Sequence, residues 1–393
     1  MLKVYHQLGY REKWNFEVFD DYNIGEGFIF SPVNYAQDKL QKLSLKYKNK
    51  GLFDPQCYFP DNNPRGQLAT YNYFPQNICG IDTCATIDIL KDDACDKIAQ
   101  ECIDFQIVNG FEGILIPYKR YFVSNPYEVI EKNNEQFVKP FFKILDEKQK
   151  KLPIYLTIVI GEEQLKFKES RDEMLSWITG LEIEGVYLIF QYNGSSKQIK
   201  DEDFLFSALL FIDILKKNDL KVIIGYTNTE ALLYLIAEPD IVTIGSYENL
   251  RKFTQNRFIE NPGGGRSPIA RLYSNVLLNW IPAGIINSIR ENFIDKFEKL
   301  FEDNNERPYK LSSEFNWHFT KPELYKHYFI SFYNQIKSFP VKKEERIEYL
   351  VNLIDVAIKE YKDLNIKFDS ESNYDHLVIW KKVIERYKNR SVD

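Results

Sequence analysis

The sequence predicts an α/β protein: a (β/α)₈ TIM-type barrel carrying an all-helical C-terminal extension. Three observations point there. Short, nearly unbroken apolar runs recur from the N-terminal region to about residue 280; each is followed by a turn and a longer helical pattern; and beyond Pro282 the strand-like runs stop. An apolar run without alternation suits a strand covered on both faces, and an intervening helix returns the chain for parallel pairing. Seven or eight such units favour closure into a barrel, with an open doubly wound sheet as the alternative.

Taken in order, the GFIF run at 27–30 reads as the first buried strand, followed by Ser31-Pro32 and a helix through Leu40 and Leu45. The second strand begins at 51–53 and ends in Asp54-Pro55-Gln56. A long connection rich in Pro, Asn and Tyr leads to a helix carrying Ile98, Ile103 and Ile107. Its Tyr and Phe residues between 58 and 74 are expected to form a sticky surface. Strands three to seven fall at 113–116, 154–160, 186–190, 222–224 and 240–244, and a weaker eighth at 272–278. Helical patterns fill the intervals at 127–147, 171–181, 203–215 and 229–236.

The expected division is a barrel over 1–284, including a short N-terminal lead-in, and an extension over 285–393. In the extension, helices at 285–301, 322–337, 343–361 and 376–387 would pack on the barrel. A chain of 393 residues holds one barrel of about 250 and leaves roughly 100 for such an addition.

A formal charge of −6 argues against a surface that coats nucleic acid throughout. Residues 285–393 carry 19 Lys/Arg against 19 Asp/Glu, so the net charge lies in 1–284. The basic run from Lys381-Lys382 through Lys388 and Arg390 reads as a solvated helix face. Five cysteines (Cys57, Cys79, Cys84, Cys95, Cys102) have an odd count and no CxxC spacing, and no secretory signal precedes them. Reduced thiols and a cytoplasmic location are expected, with no structural zinc. No apolar run is long enough to span a bilayer, so no membrane association is expected.

Catalytic groups of such barrels sit just past the C-terminal strand ends. That rule selects Ser31; Asp54 and Gln56; Tyr118 and Arg120; Glu162 and Glu163; Gln191 and Asn193; Thr227 and Asn228; and Ser246, Tyr247 and Glu248. Asp54, braced by Pro55, is the candidate catalytic group as a general base or as an acceptor for a donor-rich heterocycle. The bland alternative is a turn cap made through backbone N–H groups. Gln191 offers an amide that reads paired donors and acceptors, with Gln56, Asn193, Tyr118 and Ser246 as further substrate contacts. Gly263-Gly264-Gly265-Arg266, with Arg271 beside it and Arg251 flanking, has the bare backbone and cations of a phosphate-binding loop. A plain surface loop is its alternative reading. The four histidines (His6, His318, His327, His376) are scattered, which argues against a His-based metal site or a Ser/His/Asp triad. Neither a cofactor nor a metal is expected.

Three stretches carry a family resemblance. The sequence at 52–56 (LFDPQ) resembles the strand end bearing the active-site Asp of the queuine/archaeosine tRNA-guanine transglycosylase superfamily. The sequence at 188–191 (LIFQ) is similar to the strand ending in that family's base-reading Gln. The run IGYTNTEAL at 224–232, followed by Pro239-Asp240-Ile241, resembles its penultimate strand, helix and last active-site strand. The resemblance implies a barrel with C-terminal helices that acts on a nucleobase. Two departures stand out: Thr243 or Gly245 occupies the place of the nucleophilic Asp, and the zinc-binding cysteine motif is absent. They remove the group for covalent base exchange and leave as the first expectation a divergent transglycosylase- or glycosidase-like barrel that binds a base, nucleotide or nucleic acid and acts on it with Asp54 as the acid/base group. Two alternatives stand beside it: a non-catalytic barrel that binds nucleic acid or a protein partner within an assembly, and a metabolic enzyme for a phosphorylated small molecule.

Overall fold

The computed structural model describes residues 2–60, 64–79, 92–122, 125–148, 151–259, 267–304, 306 and 315–390. The candidate loop Gly263, Gly264, Gly265 and Arg266, and Cys84, lie outside the described residues.

Eight parallel strands form a nearly closed (β/α)₈ barrel: β1 (Lys3–Gln7), β2 (Gly27–Phe30), β3 (Gly51–Phe53), β4 (Ile114–Ile116), β5 (Ile154–Gly161), β6 (Gly185–Gln191), β7 (Lys221–Gly225) and β8 (Ile241–Gly245). Their hydrogen-bonded order is β3-β2-β1-β8-β7-β6-β5-β4, and β3 and β4 at its ends lie against each other. Apart from Lys3, Lys221 and the half-buried Ile154, the strand residues are buried, as a sheet enclosed on both faces requires. Helices 92–108, 126–148, 168–179 and 202–217 cover the outside.

The eighth strand position corrects the sequence reading. Residues 272–278 do not enter the barrel: β9 (Arg271–Ser274) turns at Leu278, with φ of 53°, and pairs antiparallel with β10 (Asn279–Pro282). The barrel is completed instead by β1, between β2 and β8. Lys-Val-Tyr-His-Gln looks like a polar lead-in because His6 and Gln7 are normally surface residues. Here both are buried with internal partners. His6 Nε2 meets the Ile24 carbonyl at 2.8 Å and its Nδ1 meets Asn15 Nδ2 at 3.0 Å. Gln7 accepts from the Tyr187 hydroxyl at 2.9 Å and donates to Ser31 Oγ at 3.2 Å.

A second correction concerns the aromatic connection after β3. Tyr58, Phe59, Tyr71, Tyr73 and Phe74 are all buried and belong to the core, so they form no sticky surface. Tyr71 and Tyr73 rings pack on Phe53, and the two hydroxyls donate to the Tyr35 and Pro55 carbonyls at 2.8 and 2.9 Å. Burial of an aromatic phenol is tolerated once its hydroxyl is satisfied.

Past β10 the described chain is helical. Helix 322–337 lies on helix 12–22 and on β9, and helix 375–388 lies on helix 202–217. Two cations of the basic last helix meet carboxylates, Lys381 on Asp355 and Arg386 on Asp203. No helix among the described residues is long and apolar enough to cross a membrane.

Candidate ligand pocket beside the barrel mouth

The centre of the barrel mouth is filled. The segment after β8 folds back across it and is tied to the β3 connection by the Arg65 N–H donating to the Phe258 carbonyl at 2.9 Å. Tyr58, Phe253 and Phe258 form an aromatic plug with ring centroids 5.0 to 5.2 Å apart. Beneath it lies Asp54, with no exposed surface. Its carboxylate accepts from the Tyr58 hydroxyl at 2.8 Å, from the Gln56 N–H at 3.1 Å and from Gln56 Nε2 at 3.4 Å. Burial pushes the Asp54 carboxyl up to about 7, against the opposing pull of those hydrogen bonds and of Arg257. Gln56, at φ of 56°, also accepts from the Val33 N–H and donates to the Tyr226 hydroxyl. The pair therefore acts as a polar clasp under the plug, out of reach of a ligand in this closed arrangement.

The other sequence candidates are dispersed. Gln191 accepts from Arg120 Nε at 3.1 Å, and the Asn193 N–H donates to Glu162 at 3.0 Å. Both Gln191 and Asn193 line a shallow groove of about 1350 Å³ past β4 to β6, away from Asp54. Tyr118 and Ser246 are wholly buried, each with a side-chain oxygen that finds no partner. Asp54 and Gln191 thus share no cavity.

What the strand ends do build is a pocket to one side. A cavity of about 720 Å³ opens past β7, β8 and β1 and is roofed by the β9–β10 hairpin and the helical extension. Trp280 of β10 anchors its wall, donating from its indole N–H to Asn228 Oδ1 at 3.1 Å. The Arg251 guanidinium sits 3.9 Å from the Trp280 ring centroid, and Tyr325 stacks on Trp14 at 5.3 Å and meets Tyr247 edge to face at 5.1 Å. Arg11 reaches the rim from the end of β1, exposed, and forms no ion pair among the described residues. Arg271, the one phosphate candidate within the described residues, lines the same cavity and pairs with Asp369 at 3.0 Å. Lys197 pairs with Glu248, and its backbone N–H donates to Glu371 at 2.6 Å. Aromatic faces together with guanidinium and ammonium groups suit a planar ring bearing an anionic group.

Beside this pocket is a chamber of about 20 Å³ between β6, β7 and the segment after β8, and Lys197 and Arg251 line both spaces. Glu230 projects into the chamber, 4% exposed. One of its oxygens accepts from the Asn228 N–H at 2.8 Å, and the other has no hydrogen-bond partner among the described residues. Burial pushes its carboxyl up to about 7, with Asn228 and the Lys252 and Arg251 charges opposing.

The strand-end rule reached Asn228, Tyr247 and Glu248, and nearness to the glycine run at 263–266 marked Arg251 and Arg271. It missed Arg11, because β1 was not read as a strand, and Glu230, which lies two residues beyond Asn228. Trp280 and Tyr325 come from the hairpin and the extension, which the rule does not cover. Fold and site together define the class: a (β/α)₈ barrel with a plugged mouth and a lateral, cation-rimmed aromatic pocket. Compared with protein-family models, with curated proteins and with solved structures, the chain matches none.

Proposed function

We propose that this chain binds a nucleotide-type ligand, a planar base carrying a phosphate, in the lateral pocket. The observation that carries the reading is the Trp280–Arg251–Tyr325 wall around a cavity of about 720 Å³, the size range of small-molecule sites. A base stacks on such a wall, and the phosphate meets Arg11 at the rim or Arg271 and Lys197 near Glu371. The resemblance of 52–56, 188–191 and 224–232 to the transglycosylase superfamily supports a base as the planar part. The full burial of Asp54 favours binding over chemistry at that carboxylate, so the proposed role of Asp54 is to hold the mouth closed.

The test is a thermal-shift and calorimetric panel of AMP, GMP, ribose 5-phosphate, inorganic phosphate and tRNA on wild type, Tyr325→Leu and Arg11→Ala. Stacking a base contributes about 1–3 kcal/mol, so Tyr325→Leu should weaken AMP or GMP roughly fivefold or more. Arg11→Ala should weaken every phosphate-bearing ligand alike. Ribose 5-phosphate binding as tightly as the nucleotides, with Tyr325→Leu indifferent, would replace this reading with a phosphorylated-metabolite barrel.

A further inference from the structure

The small chamber beside the pocket has a composition that the binding of a planar anion does not require. Three residues that line it each bury a polar atom with no hydrogen-bond partner among the described residues: Glu230 Oε2, the Tyr234 hydroxyl and Arg251 Nε. Leaving each of them dry costs about 1–3 kcal/mol. A volume of about 20 Å³ exceeds what one water needs, and one water commonly takes two to four polar partners. The chamber is not isolated, since Arg251 and Lys197 line it and the outer pocket alike.

We propose that this chamber is a proton-exchange site: it holds one water between Glu230, Tyr234 and Arg251, and an anionic ligand entering the outer pocket draws a proton onto Glu230. The inference rests on the outer pocket being the ligand site. Its chemistry is balanced without any further reactant, because the proton comes from solvent through the chamber water and leaves the same way when the ligand departs.

The direction follows from the charges around the carboxylate. Arg251 and Lys252 face it from the segment after β8, Lys197 from the loop after β6, Tyr192 and Tyr226 from strand ends, and Tyr234 from its own helix; Tyr328 of the extension lies beyond Arg251. The tyrosines are neutral near pH 7. The backbone N–H groups of Asn228 and Glu230, and after them the charges of Lys252 and Arg251, favour the ionised carboxylate against burial. An anion held in the outer pocket, which Arg251 also lines, offsets part of the guanidinium's charge at Glu230, so burial prevails and Glu230 takes up a proton. With its carboxyl already raised to about 7, a modest change of field produces substantial uptake near neutral pH.

The experiment is calorimetric titration of AMP near pH 7 in buffers of different ionisation enthalpy, on the full chain and on Glu230→Gln. The difference between the two proteins cancels the titration of AMP's own phosphate. Wild type should take up more protons per AMP than Glu230→Gln, and its affinity should rise more steeply as pH falls from about 8 to 6. Infrared difference spectra of the wild type should also gain a protonated-carboxyl band on adding AMP, which keeps the test decisive if Glu230→Gln misfolds. AMP binding with equal uptake in both proteins, or without the new band, overturns the proton site and leaves the pocket standing. Absence of AMP binding overturns the pocket reading and this inference with it.

Discussion

Asp54 shows how a single side chain sets the character of the mouth. Its carboxyl is raised to about 7 by burial, whereas an unfolded aspartate sits near 4. The folded state therefore binds the proton more readily than the unfolded one. The resulting contribution to stability is complete below about pH 4 and is lost as pH rises through about 7. Asp54→Asn, which mimics the protonated form, should match wild-type melting below about pH 4 and exceed it increasingly as pH rises to about 8. Melting curves across that range check the prediction, and a wild type that gains stability over the variant with rising pH would contradict it. The Asp-Pro-Gln sequence revealed the residue but not its environment. The Tyr58 hydroxyl and the aromatic lid of Phe253 and Phe258 come from distant segments, and no local pattern announces them.

At the scale of elements, seven strands were legible because their apolar runs are continuous. β1 was not, because His6 and Gln7 are polar yet satisfied inside, and 272–278 was misplaced because an apolar run suits a covered hairpin as well as a barrel strand. The pocket inherits that limit, since Arg11 follows β1 and Trp280 belongs to the hairpin. Close approach of neighbouring strands gives a sharper test of the barrel itself. A Cβ on Gly185 would lie 2.1 Å from the Lys221 backbone oxygen, in the register that pairs β6 with β7. Gly185→Ala must push these strands apart, and overpacking of this kind costs about 1–3 kcal/mol. Denaturant unfolding should show that loss. A neutral substitution would mean that β6 and β7 are not paired in this register.

For the whole molecule, the extension matters because it roofs the pocket, supplying Tyr325 and Glu371. It is fastened to the barrel at Asp213 of helix 202–217, whose side chain is 5% exposed and meets Lys343, the Tyr387 hydroxyl at 2.9 Å and Arg390 at 3.2 Å. Burial pushes this carboxyl up, but hydrogen bonds from Lys343 and Tyr387 and the charges of Lys343 and Arg390 outweigh it and bring it to about 2. A carboxyl depressed in this way stabilises the fold above its unfolded value near 4, and the contribution is lost as pH falls through about 2. Asp213→Asn should cost about 2 kcal/mol at neutral pH, the scale of a charged hydrogen bond. It should also speed hydrogen exchange in helices 343–364 and 375–388 more than in the strands. Exchange that rises evenly across the molecule would show that the fastening is not local.

The most direct measurement of the central claim is a crystal structure of the full chain grown with AMP. An adenine ring should lie against Trp280 or Tyr325, its phosphate within reach of Arg11, Arg271 or Lys197, with the mouth still plugged over Asp54. AMP bound instead in the groove at Gln191 and Asn193, or beside Asp54 beneath a displaced Phe253 and Phe258, would contradict it.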